Sequence, residues 1–365
     1  MHTDTMSTHV DSLRTAGFHN FKELRNTSSS STLYVCKRDA TDARALVKFS
    51  DRAQLVHDWA IRTWLGEREG RREEEEDDDA TCHLVLATEC SLQRDVGYNV
   101  YAYHENGSLL SYIKQNVLTA QHLLDICIGV SRGLAVLHGI DVVHCDVHVN
   151  NVIVDARGRA MLSDFGSVQR LPHTNAHVHT HTECMSPQSV VKQKPDLYTD
   201  VWQLGHLFYC ILTSGTDRYL FGRDLSTANR YIVMQEHCAR YEADVHMAST
   251  RSALDRLITG TPDPLILEER GRPPHECSGV QRAYYQLAHV KPPHVRSKLW
   301  TQVKMTSLVH GSLAGAIGAQ IADKPSLKRF LDLTAECLGF VDFLRPTVGG
   351  VLAKLEAVKT MQSRR

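Results

Sequence analysis

Apolar and polar positions first fall into short strand-like runs and later settle into a helical period. Leu33-Tyr34-Val35-Cys36 and Ala45-Leu46-Val47-Lys48-Phe49 predict strands, because β-branched and aromatic residues in short runs suit a half-buried pleated surface. Leu55, Val56, Trp59, Trp64 and Leu65 then recur at roughly helical spacing. Two more strands are predicted at 83–88 and 98–103, leading into the turn-like Glu105-Asn106-Gly107-Ser108. Leu123, Leu124, Cys127, Val130, Leu134 and Leu137 form an apolar helical stripe, opened by Thr119 and closed by Gly139. The segments 151–154 and 160–163 predict a hairpin around Asp155-Ala156-Arg157-Gly158. From Asp200 onward helical patterns dominate, broken by proline-rich stretches at 262–274 and 292–293. A β-rich first third followed by a helical remainder predicts two lobes with a cleft between them. Residues 1–20 are polar and weakly patterned and read as a tail.

Charge and composition narrow the classes. The chain has 365 residues, with 41 basic against 42 acidic side chains and a formal net charge of −1. A general polyanion binder needs a large unneutralised basic surface, so direct nucleic-acid binding is not expected. No run of strongly apolar residues reaches membrane-spanning length; the uncharged 307–322, rich in Gly and Ala, reads as a buried helix, and no membrane partner is expected. The start, Met1-His2-Thr3-Asp4, lacks the basic and apolar regions of a secretory signal. Ten cysteines without a CxxC pair fit reduced thiols and an intracellular location, cytoplasmic or nuclear. A charge block at 67–79 ends in seven consecutive acids and reads as a solvated loop.

The chemistry concentrates in Val143-His144-Cys145-Asp146-Val147-His148-Val149-Asn150-Asn151-Val152, followed after the hairpin by Ser163-Asp164-Phe165-Gly166. A carboxylate in a loop is followed five residues later by an amide, and a second carboxylate stands where the hairpin ends. The hairpin should bring Asn151 and Asp164 close, and two oxygen ligands there suit Mg²⁺, a hard ion that takes its other ligands from water and phosphate. Asp146 beside them is placed to take or orient a hydroxyl proton.

This arrangement resembles the H-R-D-x-x-x-x-N and D-F-G motifs of eukaryotic-type protein kinases. Ala45-Leu46-Val47-Lys48 resembles the family's lysine strand, Tyr198-Thr199-Asp200-Val201-Trp202-Gln203-Leu204-Gly205 its D-V-W-x-L-G helix start, and Leu344-Arg345-Pro346 its late Arg-Pro. The resemblance implies an α+β, two-lobed fold: a small β-rich N-lobe at 21–103, a larger helical C-lobe at 104–358 and a C-terminal tail at 359–365. It implies ATP and Mg²⁺ as cofactors, protein substrates, and transfer to Ser or Thr hydroxyls. Asp146 would be the catalytic base, Asn151 and Asp164 the metal ligands, Lys48 the phosphate contact and Asp200 a structural acceptor for the catalytic-loop backbone. Tyr101 and Tyr103, at the end of the last N-lobe strand, would line the nucleotide site. The oligomeric state is left open.

Several positions depart from the family. The glycine-rich loop is replaced by 26–34, so Asn26, Ser28 and Ser31 stand where glycines would approach phosphate. Serine keeps the N–H donors but restricts positive φ, and weaker nucleotide binding is expected. Two acids, Asp58 and Glu67, compete as partner of Lys48. His148 replaces a lysine and would donate to phosphate; the D-x-H-x-x-N pattern it creates also resembles small-molecule phosphotransferases such as aminoglycoside and choline kinases. Cys145 replaces the arginine that grips a phosphorylated activation loop, and Gln188 the glutamate expected to pair with Arg345. His177, His179 and His181 with Cys184 have the spacing of a metal site if the segment is extended, but a polar surface loop is expected. A pseudokinase scaffold is a further alternative. This style of divergence resembles the protein kinases of large DNA viruses, herpesviruses included.

Overall fold

The protein is described here as a computed structural model, over residues 2–24, 31–69, 81–92, 97–172, 184–186, 189, 195–212, 329–330, 333–334, 336–338 and 345–363. The predicted 307–322 helix, the acidic run 73–79, the 173–181 histidines, Gln188, Asn26 and Ser28 lie outside these residues.

The first lobe is an antiparallel sheet of β1 (Phe18–Leu24), β2 (Thr32–Arg38), β3 (Arg44–Phe49), β4 (Glu89–Leu92) and β5 (Gly97–Ala102), in the order β1-β2-β3-β5-β4. Period-2 alternation sorts β3: Ala45, Val47 and Phe49 enter a core with Tyr34, Tyr98 and Val100, while Leu46 and Lys48 face the other way. There lies α2 (Arg52–Glu69), whose Leu55, Ile61 and Leu65 are buried. Residues 1–20 are not a tail. They form α1 (His2–Thr15) and the start of β1; Leu13 is fully buried and His9 stacks on Phe49 at 4.0 Å. Among its described side chains, Val10 and Leu13 are the hydrophobic residues of that helix that join the sheet's core, too sparse a stripe to show in the sequence pattern.

The 83–88 segment is a second correction. Thr81–His83 forms a 3-10 turn, and the chain then crosses between the lobes, Val85 donating to the Leu162 carbonyl (2.7 Å) and Thr88 to that of Val100 (2.7 Å). Its apolar residues are buried by this crossing rather than by a ladder; the paired strand is the following β4.

In the second lobe α3 (Leu109–Gln115) leads to α4 (Ala120–His138), capped by Thr119 Oγ1, which accepts from His122 N, and closed at Gly139, as the sequence predicts. By length and composition α4 is apolar enough to cross a bilayer, yet its stripe is the core of this lobe, against α5 (Leu197–Leu212) and α6 (Val348–Ser363). Because α6 runs to Ser363, residues 359–363 belong to that helix and are no tail. Short β6 (Val142–Val143) pairs with β9 (Gln169–Arg170), and β7 (Val152–Val154) with β8 (Ala160–Leu162), in the predicted hairpin with Gly158 at φ +80°.

The lobes meet closely at Gly133, where an added Cβ would lie 2.6 Å from the His83 carbonyl oxygen and 3.3 Å from Leu84 Cδ2. Gly133→Ala should therefore destabilise the protein by about 1–3 kcal/mol, as overpacked sites do. Thermal unfolding checks this, and an unchanged Tm would mean that the crossing segment gives way freely.

Candidate active site

The site is assembled at the mouth of the β7–β8 hairpin. Ser163 N and Oγ both donate to the Asn151 carbonyl oxygen (2.8 and 2.9 Å), so the two ends of the hairpin are stitched together and Asp164 follows at once. The Asn151 side-chain nitrogen donates to the Asp146 carbonyl (3.0 Å) and to Asp146 Oδ2 (2.9 Å). Among the described residues, that leaves Asn151 Oδ1 without a hydrogen bond. Asp164 receives Lys48 Nζ on Oδ1 (2.7 Å), leaving Oδ2, and its side chain is 46% exposed. Two hard oxygen donors thus remain beside each other. That chemistry fits Mg²⁺, which keeps most of its shell as water and phosphate, and among the described residues no cluster of three or more His, Cys, Asp or Glu suggests a different metal.

Lys48 settles the choice between the two acids. Its Nζ lies 3.0 Å from Asp58 Oδ2, while Glu67 pairs with Arg170 at the surface (3.2 Å). Asp58 follows Leu55 by three and precedes Ile61 by three, so it rides the buried face of α2. Burial would lower the lysine pKa, but two adjacent carboxylates outweigh it and hold the ammonium well above its ordinary value. Burial pushes the Asp58 carboxyl up, despite Lys48, and its Oδ1 has no hydrogen-bond partner. Burial would also raise Asp164, yet Lys48 wins and keeps that carboxyl below the usual range.

Tyr101 enters this cluster in an unforeseen role. Its buried hydroxyl donates to Asp58 Oδ2 (2.9 Å), so Asp58 is clamped from both β3 and β5. Tyr101→Phe should cost about 1.5–3 kcal/mol in urea denaturation, the worth of a hydrogen bond to a charged group, with nucleotide KM little changed. Unchanged stability with a raised KM would return Tyr101 to nucleotide contact. The sequence reading also placed Tyr103 at the nucleotide; its ring instead carries the Arg44 guanidinium at 4.3 Å. Ser31 is buried, its hydroxyl bonded to Ser50 (2.9 Å) rather than turned outward for phosphate.

The catalytic loop is held from below. Asp200 accepts from the backbone N–H of His144 and Cys145 (both 2.8 Å) and lies 2.9 Å from His138 Nε2. Gln203, one turn on, accepts from Val147 N (2.8 Å) and donates to the Cys145 carbonyl (2.7 Å). These bonds hold Cys145 at φ +69°, a left-handed conformation costing about 1–3 kcal/mol in a non-glycine residue. Asp200 was legible from its motif; Gln203 and His138 were not, although the Asp200–Gln203 spacing of three puts both on one helix face. Burial, then Asp200 and Asp146, push the Cys145 thiol up, so it is no nucleophile.

His148 is corrected too. Its Nδ1 accepts from Asn150 N (3.2 Å), which puts the proton on Nε2, and Nε2 faces Asp146 Oδ2 at 3.3 Å. The imidazole therefore helps to orient Asp146. Cys184 is packed against His206 (Sγ to Nδ1 3.4 Å), and Arg345 donates to the Tyr198 carbonyl (2.9 Å) and stacks on Trp202.

A five-stranded lobe with a buried lysine–carboxylate pair, facing a loop aspartate, an amide and a hairpin-end aspartate, defines a two-lobed kinase fold. A sequence model of the protein kinase domain matches residues 29–348, and the chain belongs to that family. It is 31% identical over 109 residues to the serine/threonine-protein kinase shk2 of Schizosaccharomyces pombe, covering 29% of this chain and 18% of that protein. It is 35% identical over 133 residues to a probable LRR receptor-like serine/threonine-protein kinase of Arabidopsis thaliana, covering 32% and 13%. Against the serine/threonine-protein kinase PAK mbt of Drosophila melanogaster it is 27% identical over 186 residues, covering 49% and 28%. The chain thus matches between about an eighth and a quarter of the length of these relatives.

Proposed function

We propose that the protein is an active kinase that transfers the γ-phosphate of ATP to Ser or Thr hydroxyls of proteins. The observation that carries this reading is Lys48 held between Asp58 (3.0 Å) and Asp164 (2.7 Å), beside an Asp146 tied to Asn151. Scaffolding requires none of these groups. Asp146 orients the acceptor hydroxyl and takes its proton as the oxygen–phosphorus bond forms; the bond from the γ-phosphorus to the bridging oxygen breaks and ADP leaves. Lys48 holds the phosphates. Asn151 and Asp164 would hold Mg²⁺, which supplies charge neutralisation to the phosphates when bound. The partly buried Leu46 and Ile153, packed with Met161 and Tyr101, offer an apolar surface to the base.

The Ser/Thr preference follows the names of the relatives. Kinship with kinases of large DNA viruses is part of this proposal and rests on the rewritten catalytic and serine-rich loops alone. An intracellular location, cytoplasmic or nuclear, is part of the same proposal and rests on the scattered spacing of the ten cysteines, none in a CxxC pair. A second reading, small-molecule phosphotransfer, is favoured only by His148 facing Asp146. Incubation with γ-labelled ATP and Mg²⁺ over mixed proteins, and separately over amino alcohols and aminoglycosides, separates the two. Label in protein that is lost in Asp146→Asn supports the proposal; no label in any acceptor would leave a scaffold.

A further inference from the structure

A polar groove lies on the helical lobe away from the catalytic residues, between α3, α4, α6, the 3-10 turn and the tip of the β7–β8 hairpin, with a cavity volume of about 500 Å³. The hairpin separates the two places: Asn151 and Asp164 stand at its open end, and the groove is lined by its turn. We propose that this groove docks an acidic segment of a protein partner. That the partner is a substrate rests on the kinase reading above; the docking does not.

The groove is built rather than accidental. Gly129 leaves room for its floor, since a Cβ there would lie 3.2 Å from the His83 ring and 2.9 Å from the Ala160 carbonyl oxygen. His83 is only 8% exposed and lines the groove; its Nδ1 bonds Ala160 O (3.0 Å), and among the described residues its Nε2 has no hydrogen-bond partner. The bond to a carbonyl oxygen requires a proton on Nδ1, which leaves Nε2 of the neutral ring as an acceptor. The turn that forms one bank is fixed as well. Asp155 Oδ1 accepts from the backbone N–H of Arg157 and Arg159 (both 2.8 Å), and Asp155 Oδ2 from Arg159 Nε (2.8 Å). Burial would raise the Asp155 carboxyl, but these donors hold it below the usual range and keep the turn charged and closed.

Charge chooses the occupant. Among the described residues Arg132, Arg157, Arg159 and Lys359 line the groove with Asp125 and Glu356, and Asp155 beneath the turn pairs with Arg159 (2.8 Å), which leaves an excess of one positive charge, at Arg157, in a chain whose net charge is −1. Arg132 pairs with Glu356 (3.4 Å) and Lys359 with Asp125 (2.6 Å), but all four side chains are 41–52% exposed. Such surface pairs are weak and yield to a competing carboxylate. Arg157 makes no side-chain bond among the described residues and is presented from the fixed turn. A segment carrying several carboxylates pairs Arg157 and competes for Arg132 and Lys359 together, which a single small anion does not.

The test is fluorescence anisotropy at low ionic strength, where surface charges are least screened, using a labelled Glu/Asp-rich decapeptide, a Lys-rich peptide of equal length and unlabelled inorganic phosphate. It is run on the full chain and on a variant with residues 73–79 replaced by serine, because that acidic run lies close to Cys82 in the sequence and would compete. The acidic peptide should bind. Arg157→Glu should weaken it about tenfold, as like charges do across an interface, Arg157→Lys should restore most of the affinity, and phosphate should not displace it. Because Arg157 holds no other side chain, these variants should keep the wild-type Tm. Absence of binding in both chains, indifference to Arg157→Glu, equal binding of the Lys-rich peptide, or full displacement by phosphate would each overturn the proposal. Binding is read without catalysis, so an inactive enzyme that still binds separates this inference from the kinase assignment.

Discussion

Replacing Asp164 by asparagine should lower phosphate transfer at least about a hundredfold while leaving the fold in place, as loss of a charge-stabilising group at a transfer site does. The change removes a hard anionic donor and half of the charge that fixes Lys48. Folding should tolerate it for three reasons. Asparagine accepts the left-handed φ of +62° that Asp164 adopts, the side chain is partly open to solvent, and Lys48 keeps Asp58. Label transfer from γ-labelled ATP, measured beside thermal unfolding, checks both halves. Transfer at the wild-type rate would place the metal-binding carboxylate elsewhere. The depressed pKa of Asp164 also carries a sign. Its pairing contributes stability above the ordinary carboxylate pKa, and this is lost as pH falls through the lower folded value.

Lys48→Met should have two effects, and pH separates them. Transfer should fall by a comparable factor, because a thioether cannot hold phosphate. Stability should fall by about 3–5 kcal/mol near neutrality, since Asp58 would be left as a buried charge without its cation. Burial already raises the Asp58 carboxyl with Lys48 present, and without it that carboxyl should rise further. A carboxyl whose folded pKa is raised favours the folded state below its unfolded pKa and loses that benefit as pH rises through the folded value. The Tm deficit of the variant should therefore be smaller at pH ~5 than at pH ~7.5, the window between the unfolded carboxylate pKa and a raised folded one. A deficit independent of pH would mean that Asp58 does not sense Lys48. Lys48 itself has the opposite sign: its raised pKa contributes stability below the ordinary lysine value, lost as pH rises through the folded one.

Much of the active site was legible because it is local. Asp146, Asn151 and Asp164 lie on one loop and one hairpin, and the strand pairing of Val152–Val154 with Ala160–Leu162 leaves them little freedom to stand apart. Lys48 was legible from the resemblance of Ala45-Leu46-Val47-Lys48 to the family's lysine strand, and the long helix from Thr119 and Gly139 at its ends. Where reading failed, the missing quantity was a contact between elements distant in sequence. Tyr101 looked like a nucleotide contact from its place at the end of the last N-lobe strand, yet its hydroxyl is taken by a carboxylate on α2. His148 is a local exception: it looked like a phosphate donor, but its Nε2 faces Asp146 Oδ2, two residues away.

The order of chemistry-bearing residues, the hairpin and the two-lobed division were determined by the sequence alone, because short-range backbone geometry and capping need no partner from elsewhere in the chain. The tertiary structure alone decided which acid meets Lys48, that residues 2–15 fold as a helix onto the sheet, and that 83–88 crosses between lobes instead of pairing. Each depends on how a helix is rotated or a segment is laid against its neighbour. Burial and pairing set that rotation, as when Asp58 turns inward with Leu55 and Ile61 while Glu67 turns out to Arg170, and two acids on one helix are equivalent until packing distinguishes its faces.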